Sequence, residues 1–121
     1  MKDPIRRGSV MWVPDAAVQM PPDAHRQMHA KRPVLVLSGD ASNDDASWPI
    51  ILAAPITSSD YSTEFDVKVG ANQGGLSKKG WIRIPLIQPI AKTDVLERAG
   101  QLDAAIVAEV IARWLRYTGS I

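Results

Sequence analysis

Short runs of apolar residues, separated by turn residues, fill most of the first ninety positions of the chain. The runs Val10 to Val13 and Val34 to Leu37 are rich in valine and are bounded by proline or by Ser-Gly-Asp, which is typical of strands. The run from Trp48 to Ile56 is apolar almost throughout and predicts a strand buried on both faces. The alternation from Glu64 to Val69 predicts a half-exposed strand. The pattern therefore predicts a small, mainly β domain.

Two further strand segments are predicted at Trp81 to Ile84 and at Ile87 to Ile90. Prolines within and between these segments indicate an edge strand, a bulge or a bend, because proline cannot donate to a sheet. A glycine-containing stretch from Gly70 to Gly75 predicts the turn before them. We expect the strand layer to end near Lys92.

After Asp103 the apolar period changes from that of strands to that of a helix. One face carries Ile106, Val107, Val110, Ile111, Trp114 and Leu115. This spacing predicts an amphipathic helix with Asp103 as its N-cap, an i,i+4 pair between Glu109 and Arg113, and an end near Gly119. Its apolar face is expected to cover an open end of a barrel, a second subunit, or both.

Length and composition narrow the classes of protein. A chain of 121 residues is one domain, residues 1–121, and its 45% hydrophobic and 22% charged residues exclude disorder and a membrane span. The absence of cysteine excludes disulfides, thiolate nucleophiles and cysteine-ligated zinc. An interior this small disfavours large cofactors, and we expect none. The N-terminus carries no apolar run of signal-peptide length, so we expect a cytoplasmic protein.

Charges are segregated along the chain although the net charge is only +1. The segment 34–66 has no lysine or arginine but six carboxylates, and both flanking segments are net basic. A near-neutral total therefore permits a local basic patch, which an anionic ligand would need.

Arg32 and Thr57 stand at the ends of predicted strands, and each has two interpretations. Arg32 is either a solvated cation or an anion clamp, since a guanidinium matches a phosphate bidentately and keeps its charge. Thr57 either holds a local turn through its hydroxyl or presents that hydroxyl to a ligand from a rigid strand end.

His25 and His29 lie in a long polar loop between the first two strands, Asp15 to Lys31. Their spacing would suit a zinc site on a helix, but no third ligand is recognisable, so we predict no metal site. A loop histidine could instead shuttle a proton or contact a phosphate. A solvated pair is the simplest alternative.

Four tryptophans, Trp12, Trp48, Trp81 and Trp114, could stack on unpaired bases. They lie within or beside apolar strands or on the apolar helix face, so we predict core packing for most of them.

Five blocks of sequence, in order and spacing, resemble the MazF/PemK/Kid family of toxin ribonucleases from bacterial toxin–antitoxin pairs. The resemblance spans Gly8 to Leu115. The blocks are Arg7-Gly8-Ser9-Val10-Met11-Trp12-Val13, Lys31-Arg32-Pro33-Val34-Leu35-Val36-Leu37-Ser38, Ala53-Ala54-Pro55-Ile56-Thr57-Ser58, Gly75-Leu76-Ser77-Lys78-Lys79, and a closing helix beginning Leu102-Asp103.

The resemblance implies an SH3-like small β-barrel, the fold of the MazF, Kid and CcdB toxins, with a C-terminal amphipathic helix and a homodimeric assembly. It also implies an enzyme that cuts single-stranded RNA, including mRNA, without a metal and so inhibits translation and growth. In the family, an arginine at the Arg32 position and a threonine at the Thr57 position carry the chemistry. The 2′-hydroxyl of the RNA attacks the adjacent phosphate, which leaves a 2′,3′-cyclic phosphate and a 5′-hydroxyl.

The same resemblance implies partners and contacts. The expected partner is a MazE-like antitoxin whose acidic disordered tail folds over the RNA cleft. We expect six further residues to bind the RNA: Lys31, Arg83, His29, His25, Ser58 and Gln88.

The chain departs from the family at two places. The segment from Ala16 to His29 is longer and carries prolines. Some members have an arginine followed by a carboxylate in a later strand; Arg83 matches the arginine, but Pro85, or Ile87 in another register, stands where the acid would be. If a general base is needed, His25 or His29 is the available substitute.

Two alternatives remain. One is a non-enzymatic toxin similar to CcdB that binds DNA gyrase, although CcdB-like chains lack the pairing of Arg32 with Thr57. The other is a degenerate domain that has lost catalysis and binds only an antitoxin.

Overall fold

The computed structural model of the chain describes residues 3–22, 28–59 and 63–121. Within these ranges the chain forms seven strands and two α-helices. The strands are β1 (Ser9–Pro14), β2 (Lys31–Val36), β3 (Ile50–Thr57), β4 (Val67–Val69), β5 (Gly80–Ile82), β6 (Gln88–Ala91) and β7 (Arg98–Gln101). The helices are α1 (Asp40–Asn43) and α2 (Ala104–Tyr117). No helix among the described residues is long and apolar enough to cross a membrane.

The strands form one curled antiparallel sheet in the order β4-β5-β3-β2-β1-β7. One side of β3 pairs with β2, and the other side pairs first with β6 along Ile50–Ala53 and then with β5 at Ile56 and Thr57. This change of partner curls the sheet into a half-barrel with a C-terminal helix, and the predicted mainly β fold is confirmed.

Apolar residues of β2 alternate between two core clusters. Leu35 packs in the cluster that also receives Val107 and Val110 of α2, whereas Val34 and Val36 pack in the other. Since both faces of β2 are buried, the strand is apolar without a clean alternation.

Helix α2 confirms the predicted C-terminal helix. It begins directly after Asp103, although the Asp103 side chain makes no capping hydrogen bond. The Arg113 Nε atom donates to Glu109 at 2.7 Å, and Gly119 has a positive φ of 77° beyond the helix end.

Several sequence predictions need correction. The sheet does not end near Lys92, because β7 pairs with β1, and β2 begins at Lys31 rather than after Pro33. Trp48 is not a core residue, since it is 48% exposed ahead of β3. The strand predicted from Glu64 is shorter and starts at Val67.

The acidic segment that follows β2 contacts basic residues ahead of β1. An Asp44 carboxylate oxygen pairs with Arg6 at 2.8 Å, and Asp40 accepts the backbone N–H of Arg7 at 2.7 Å. The Arg7 bond, with a second from Asn43, holds the pKa of Asp40 below its usual range. Basic residues ahead of β1 are thus held against this acidic segment.

The sequence does not predict strand β7, because this strand has no apolar pattern and depends on close packing against a turn. Its residues Ala99 and Gly100 lie against the turn at Gly74 and Gly75. Gly75 has φ +77°, and a Cβ atom there would meet the Ala99 carbonyl oxygen at 1.9 Å. A side chain would therefore be strained and would push β7 away.

We expect Gly75→Ala to lower the free energy of unfolding by about 2–5 kcal/mol, because it adds backbone strain to a steric clash. The matched control is Gly39→Ala. Gly39 has φ −69°, and a Cβ atom there would meet nothing within 4 Å. The control should shift stability by less than about 0.5 kcal/mol in urea titrations. Equal losses in the two variants would contradict this account of β7.

Candidate functional site

A cleft of about 720 Å³ opens where β3 ends, between the first loop and the segment that leads into β5. Its walls combine apolar groups such as Trp12 and Ile56 with cations. The lining cations are Lys31, Arg32, Lys78, Lys79 and Arg83. No aspartate or glutamate is among the described residues that line it. The cleft therefore favours an anionic ligand.

Arg32 reaches the cleft from β2 and is held by a buried carboxylate. Its Nε atom donates to Asp15 Oδ1 at 2.7 Å, and its Nη1 atom donates to the Ile56 carbonyl oxygen at 3.3 Å. Arg32 is 8% exposed and Asp15 is fully buried. The guanidinium is therefore fixed in orientation and is not the solvated cation of the simpler interpretation.

Asp15 also closes the first loop. It directly follows β1, and its Oδ2 atom accepts the backbone N–H of His29 at 2.9 Å. One carboxylate thus joins the end of β1, the end of the loop and the arginine of β2. Strand pairing brings these groups together, because Pro14 lies opposite Lys31 in the register of β1 and β2.

Thr57 ends β3 and is 7% exposed. Its Oγ1 atom accepts the backbone N–H of Ser59 at 3.2 Å, which is the predicted turn contact. A hydroxyl that accepts this bond can still donate its own proton. The side chain lines the same cleft as Arg32, so the turn role and the ligand-facing role are compatible.

Most of the predicted binding residues meet at this cleft. Lys31, His29, Ser58 and Arg83 line it with Arg32 and Thr57, and the Lys31 ammonium lies 4.5 Å from the ring centroid of Trp12. His25 lies outside the described residues.

Gln88 is not among the residues that line the cleft. Its Nε2 atom donates to the carbonyl oxygens of Gln19 and Leu86, and its Oε1 atom accepts the backbone N–H of Gln19 at 2.8 Å. Gln88 therefore anchors the first loop from β6, and its RNA contact stays a prediction.

A carboxylate does lie beside Arg83, although the sequence has none at the position where some family members carry it. The Arg83 Nε atom donates to Asp66 Oδ1 at 3.0 Å, and the Asp66 side chain is fully buried. Asp66 comes from just before β4, so an alignment of the later strand could not reveal it. Asp15 was not predicted as a site residue either, although its place directly after a strand was a usable signal.

Two of the tryptophans, Trp81 and Trp12, lie in the core and at the cleft respectively. Trp81 is 7% exposed and its residue pairs with Thr57 across β3 and β5, whereas Trp12 is half-buried and lines the cleft. In the described parts of the chain, no three His, Cys, Asp or Glu side chains come together as a metal site would require.

A family model described as PemK-like, MazF-like toxin of type II toxin–antitoxin system matches residues 6–117. No protein with a curated functional description matches the sequence significantly.

Solved structures share the fold. The MazE–MazF crystal structure from Deinococcus radiodurans has a TM-score of 0.74 at 24% identity and covers 99% of this chain and 100% of its own. An endoribonuclease in complex with its cognate antitoxin from a mycobacterial species has a TM-score of 0.69 at 17% identity, with 97% and 95% coverage. The Mycobacterium tuberculosis toxin MazF-mt6 has a TM-score of 0.71 at 19% identity, with 92% and 96% coverage.

Removal of the Asp15 carboxylate should destabilise the fold, because Arg32 would remain buried without its counter-ion. We expect Asp15→Ala to lower the free energy of unfolding by about 3–5 kcal/mol. The matched control, Asp44→Ala, breaks an ion pair with Arg6 in which both side chains are about half exposed. That change should cost less than about 1 kcal/mol. Urea titrations at neutral pH measure both, and a small loss for Asp15→Ala would contradict the anchoring role.

Proposed function

We propose that this chain, which belongs to the PemK-like, MazF-like family of type II toxin–antitoxin toxins, is an endoribonuclease that cuts single-stranded RNA without a metal ion. The observation that carries the proposal is the meeting of Arg32 and Thr57, both more than nine-tenths buried, in one cationic cleft. These are the two residues at the positions that carry the chemistry in the family.

The proposed reaction is an internal phosphoryl transfer. The 2′-oxygen of one ribose forms a bond to the adjacent phosphorus, and the bond from phosphorus to the 5′-oxygen of the next nucleotide breaks. The 2′-hydroxyl gives up its proton and the leaving 5′-oxygen gains one. The products are a 2′,3′-cyclic phosphate and a free 5′-hydroxyl.

Arg32 and Thr57 would act on the charge that develops on the phosphate oxygens. Asp15 holds the guanidinium in place before substrate arrives, so little reorganisation is needed during the reaction. Thr57 would donate its hydroxyl proton to the same phosphate from the rigid end of β3. Fixed donors of this kind are each worth about 10²–10³-fold in rate.

The form of the cleft favours single-stranded RNA. Its cations suit a polyanionic backbone, and Trp12, with Met20 and Leu86 nearby on the lining, offers an apolar surface to a base that is not stacked in a duplex. An antitoxin with an acidic tail would compete for the same cations, and two of the similar structures are toxin–antitoxin complexes. We propose such a partner for this chain, which we expect to act as a homodimer.

The first test is to incubate the purified protein with a long single-stranded RNA in EDTA and to determine the end groups. We expect cuts that leave cyclic phosphate and 5′-hydroxyl ends. Arg32→Lys, which keeps the charge but loses the planar fork, should cut at least about 10²-fold more slowly. Arg116→Ala, which removes an exposed arginine outside the cleft, should cut normally.

The variants need a stability check, since Arg32 is part of a buried pair. Circular dichroism and thermal unfolding of Arg32→Lys should show a folded protein. If the wild-type protein cuts no RNA across diverse sequences, the ribonuclease proposal is wrong. Inhibition of DNA gyrase and binding to an antitoxin alone would then be assayed.

A histidine of the first loop is proposed as the general base. His29 lines the cleft, and its backbone N–H is bound to the carboxylate that orients Arg32. We expect the double variant His25→Ala, His29→Ala to lose about 10²–10⁴-fold in cleavage rate at saturating RNA, where any loss of RNA affinity no longer limits the rate. Each single variant then shows which imidazole acts. Normal cleavage by the double variant would exclude both.

A further inference from the structure

Arg83 forms a second buried ion pair at the cleft that parallels the pair of Arg32 with Asp15. In both pairs the arginine lines the cleft and its Nε atom donates to a carboxylate whose side chain is fully buried. The distances are 2.7 Å for Arg32 and 3.0 Å for Arg83. A carboxylate bound at Nε restricts rotation of the guanidinium and so fixes its plane.

The Asp66 carboxylate is itself held firmly. Its Oδ2 atom accepts the Thr63 hydroxyl at 2.9 Å, which leaves Oδ1 directed to Arg83. Helix α2 fixes the backbone of the same segment, because Arg113 Nη1 donates to the carbonyl oxygens of Asp66 and Glu64 at 2.7 and 3.0 Å. The orientation of Arg83 therefore depends on a chain of contacts that starts at the C-terminal helix.

Strand β3 separates the two arginines. Arg32 comes from β2 on one side of β3 and binds the Ile56 carbonyl oxygen. Arg83 directly follows β5 on the other side, and its backbone N–H binds the Pro55 carbonyl oxygen at 2.9 Å. Thr57 ends the strand between them. A phosphate held by Arg32 and Thr57 therefore leaves Arg83 beyond Thr57, on the opposite flank of the strand end.

We infer that Asp66 is a positioning residue, which holds Arg83 so that it binds the backbone phosphate next to the one that is cut. The inference rests on the proposed function, since it assigns a second phosphate of the same RNA strand to this cleft. Arg83 then supplies affinity, whereas Arg32 and Thr57 supply rate. The negatively charged Asp66 then favours the binding of an anion, because it orients Arg83.

The direction of the change in Kd distinguishes a positioning role of Asp66 from a purely electrostatic one. Removal of a carboxylate beside a cationic cleft strengthens anion binding when only Coulomb attraction acts. If Asp66 acts by orienting Arg83, Asp66→Asn weakens binding instead. The loss of one oriented, charge-assisted contact corresponds to about a tenfold rise in Kd or more.

The test uses fluorescence anisotropy with a labelled pool of short single-stranded 2′-O-methyl oligonucleotides, which lack the attacking 2′-hydroxyl. We expect Asp66→Asn and Arg83→Gln each to raise Kd about tenfold. The double variant should bind no more weakly than Arg83→Gln alone, because Asp66 acts only through Arg83. The control is Asp44→Asn, which removes an exposed carboxylate that does not line the cleft and should leave Kd unchanged.

Two results would overturn the inference: unchanged or tighter binding by Asp66→Asn, or additive losses in the double variant. Unchanged Kd together with a lower melting temperature of Asp66→Asn would indicate a purely structural pair. If Asp66→Asn does not fold, Thr63→Val replaces it, since it removes the hydroxyl that holds Oδ2 but keeps the carboxylate. Thr63→Val should also raise Kd.

Cleavage of unmodified RNA keeps this test apart from the proposed function. At saturating RNA, Asp66→Asn should cut within about twofold of the wild-type rate, because a contact equal in ground and transition states changes KM and not kcat. Wild-type protein that binds but does not cut refutes the ribonuclease alone. Wild-type protein that cuts, with variants that bind normally, refutes the Asp66 assignment alone.

Discussion

The buried ion pair between Asp15 and Arg32 is the constraint on which the cleft depends. A charged side chain that is buried from solvent is tolerated only with a partner and further hydrogen bonds, because removal of each ion from water costs several kcal/mol. Asp15 meets that demand with Arg32 and the backbone N–H of His29. Arg32 meets it with Asp15 and the Ile56 carbonyl oxygen. The pair therefore links β1, the first loop, β2 and β3 at one point.

This arrangement places two arginines on the lining of the cleft and their carboxylate partners off it. Asp15 and Asp66 are buried behind the cleft, while Arg32 and Arg83 line it. A chain with a net charge of only +1 can thus line a cleft with five cationic side chains from the described part of the chain, and three of these pair with carboxylates that do not line it. Each of the two carboxylates offsets part of the charge of its arginine but also fixes the orientation of the guanidinium. Charge counted along the sequence could not distinguish an acid that repels an anion from one that directs an arginine toward it.

Sequence predicts the parts of this molecule that depend on local pattern. The valine-rich run of β2 and the period of α2 were readable because each buries a regular apolar face. Strand β7 was not, since Ala99 and Gly100 are strand residues only because the turn at Gly74 and Gly75 packs against them. Trp48 misled for the opposite reason, because an aromatic residue beside an apolar run need not enter the core.

The site divides in the same way. Arg32 and Thr57 could be identified because Arg32 precedes and Thr57 follows a predicted strand, each within a block that resembles a family. Asp66 could not, because its relation to Arg83 crosses between strands and is fixed by Thr63 and by Arg113 of a distant helix. Gln88 shows the converse: a polar residue close in sequence to the site is used by the first loop.

The end of β3 explains why so few residues are enough to form a cleft of this kind. Three consecutive residues, Pro55, Ile56 and Thr57, bind the backbone of Arg83, bind the side chain of Arg32 and supply the hydroxyl. Because β3 is hydrogen-bonded on both sides, a shift of this strand end would disturb all three groups together. The sheet therefore sets the spacing of their backbones, and Asp15 and Asp66 orient the two guanidinium groups. Because these donors are held in place before a ligand arrives, little binding energy is lost in ordering the protein.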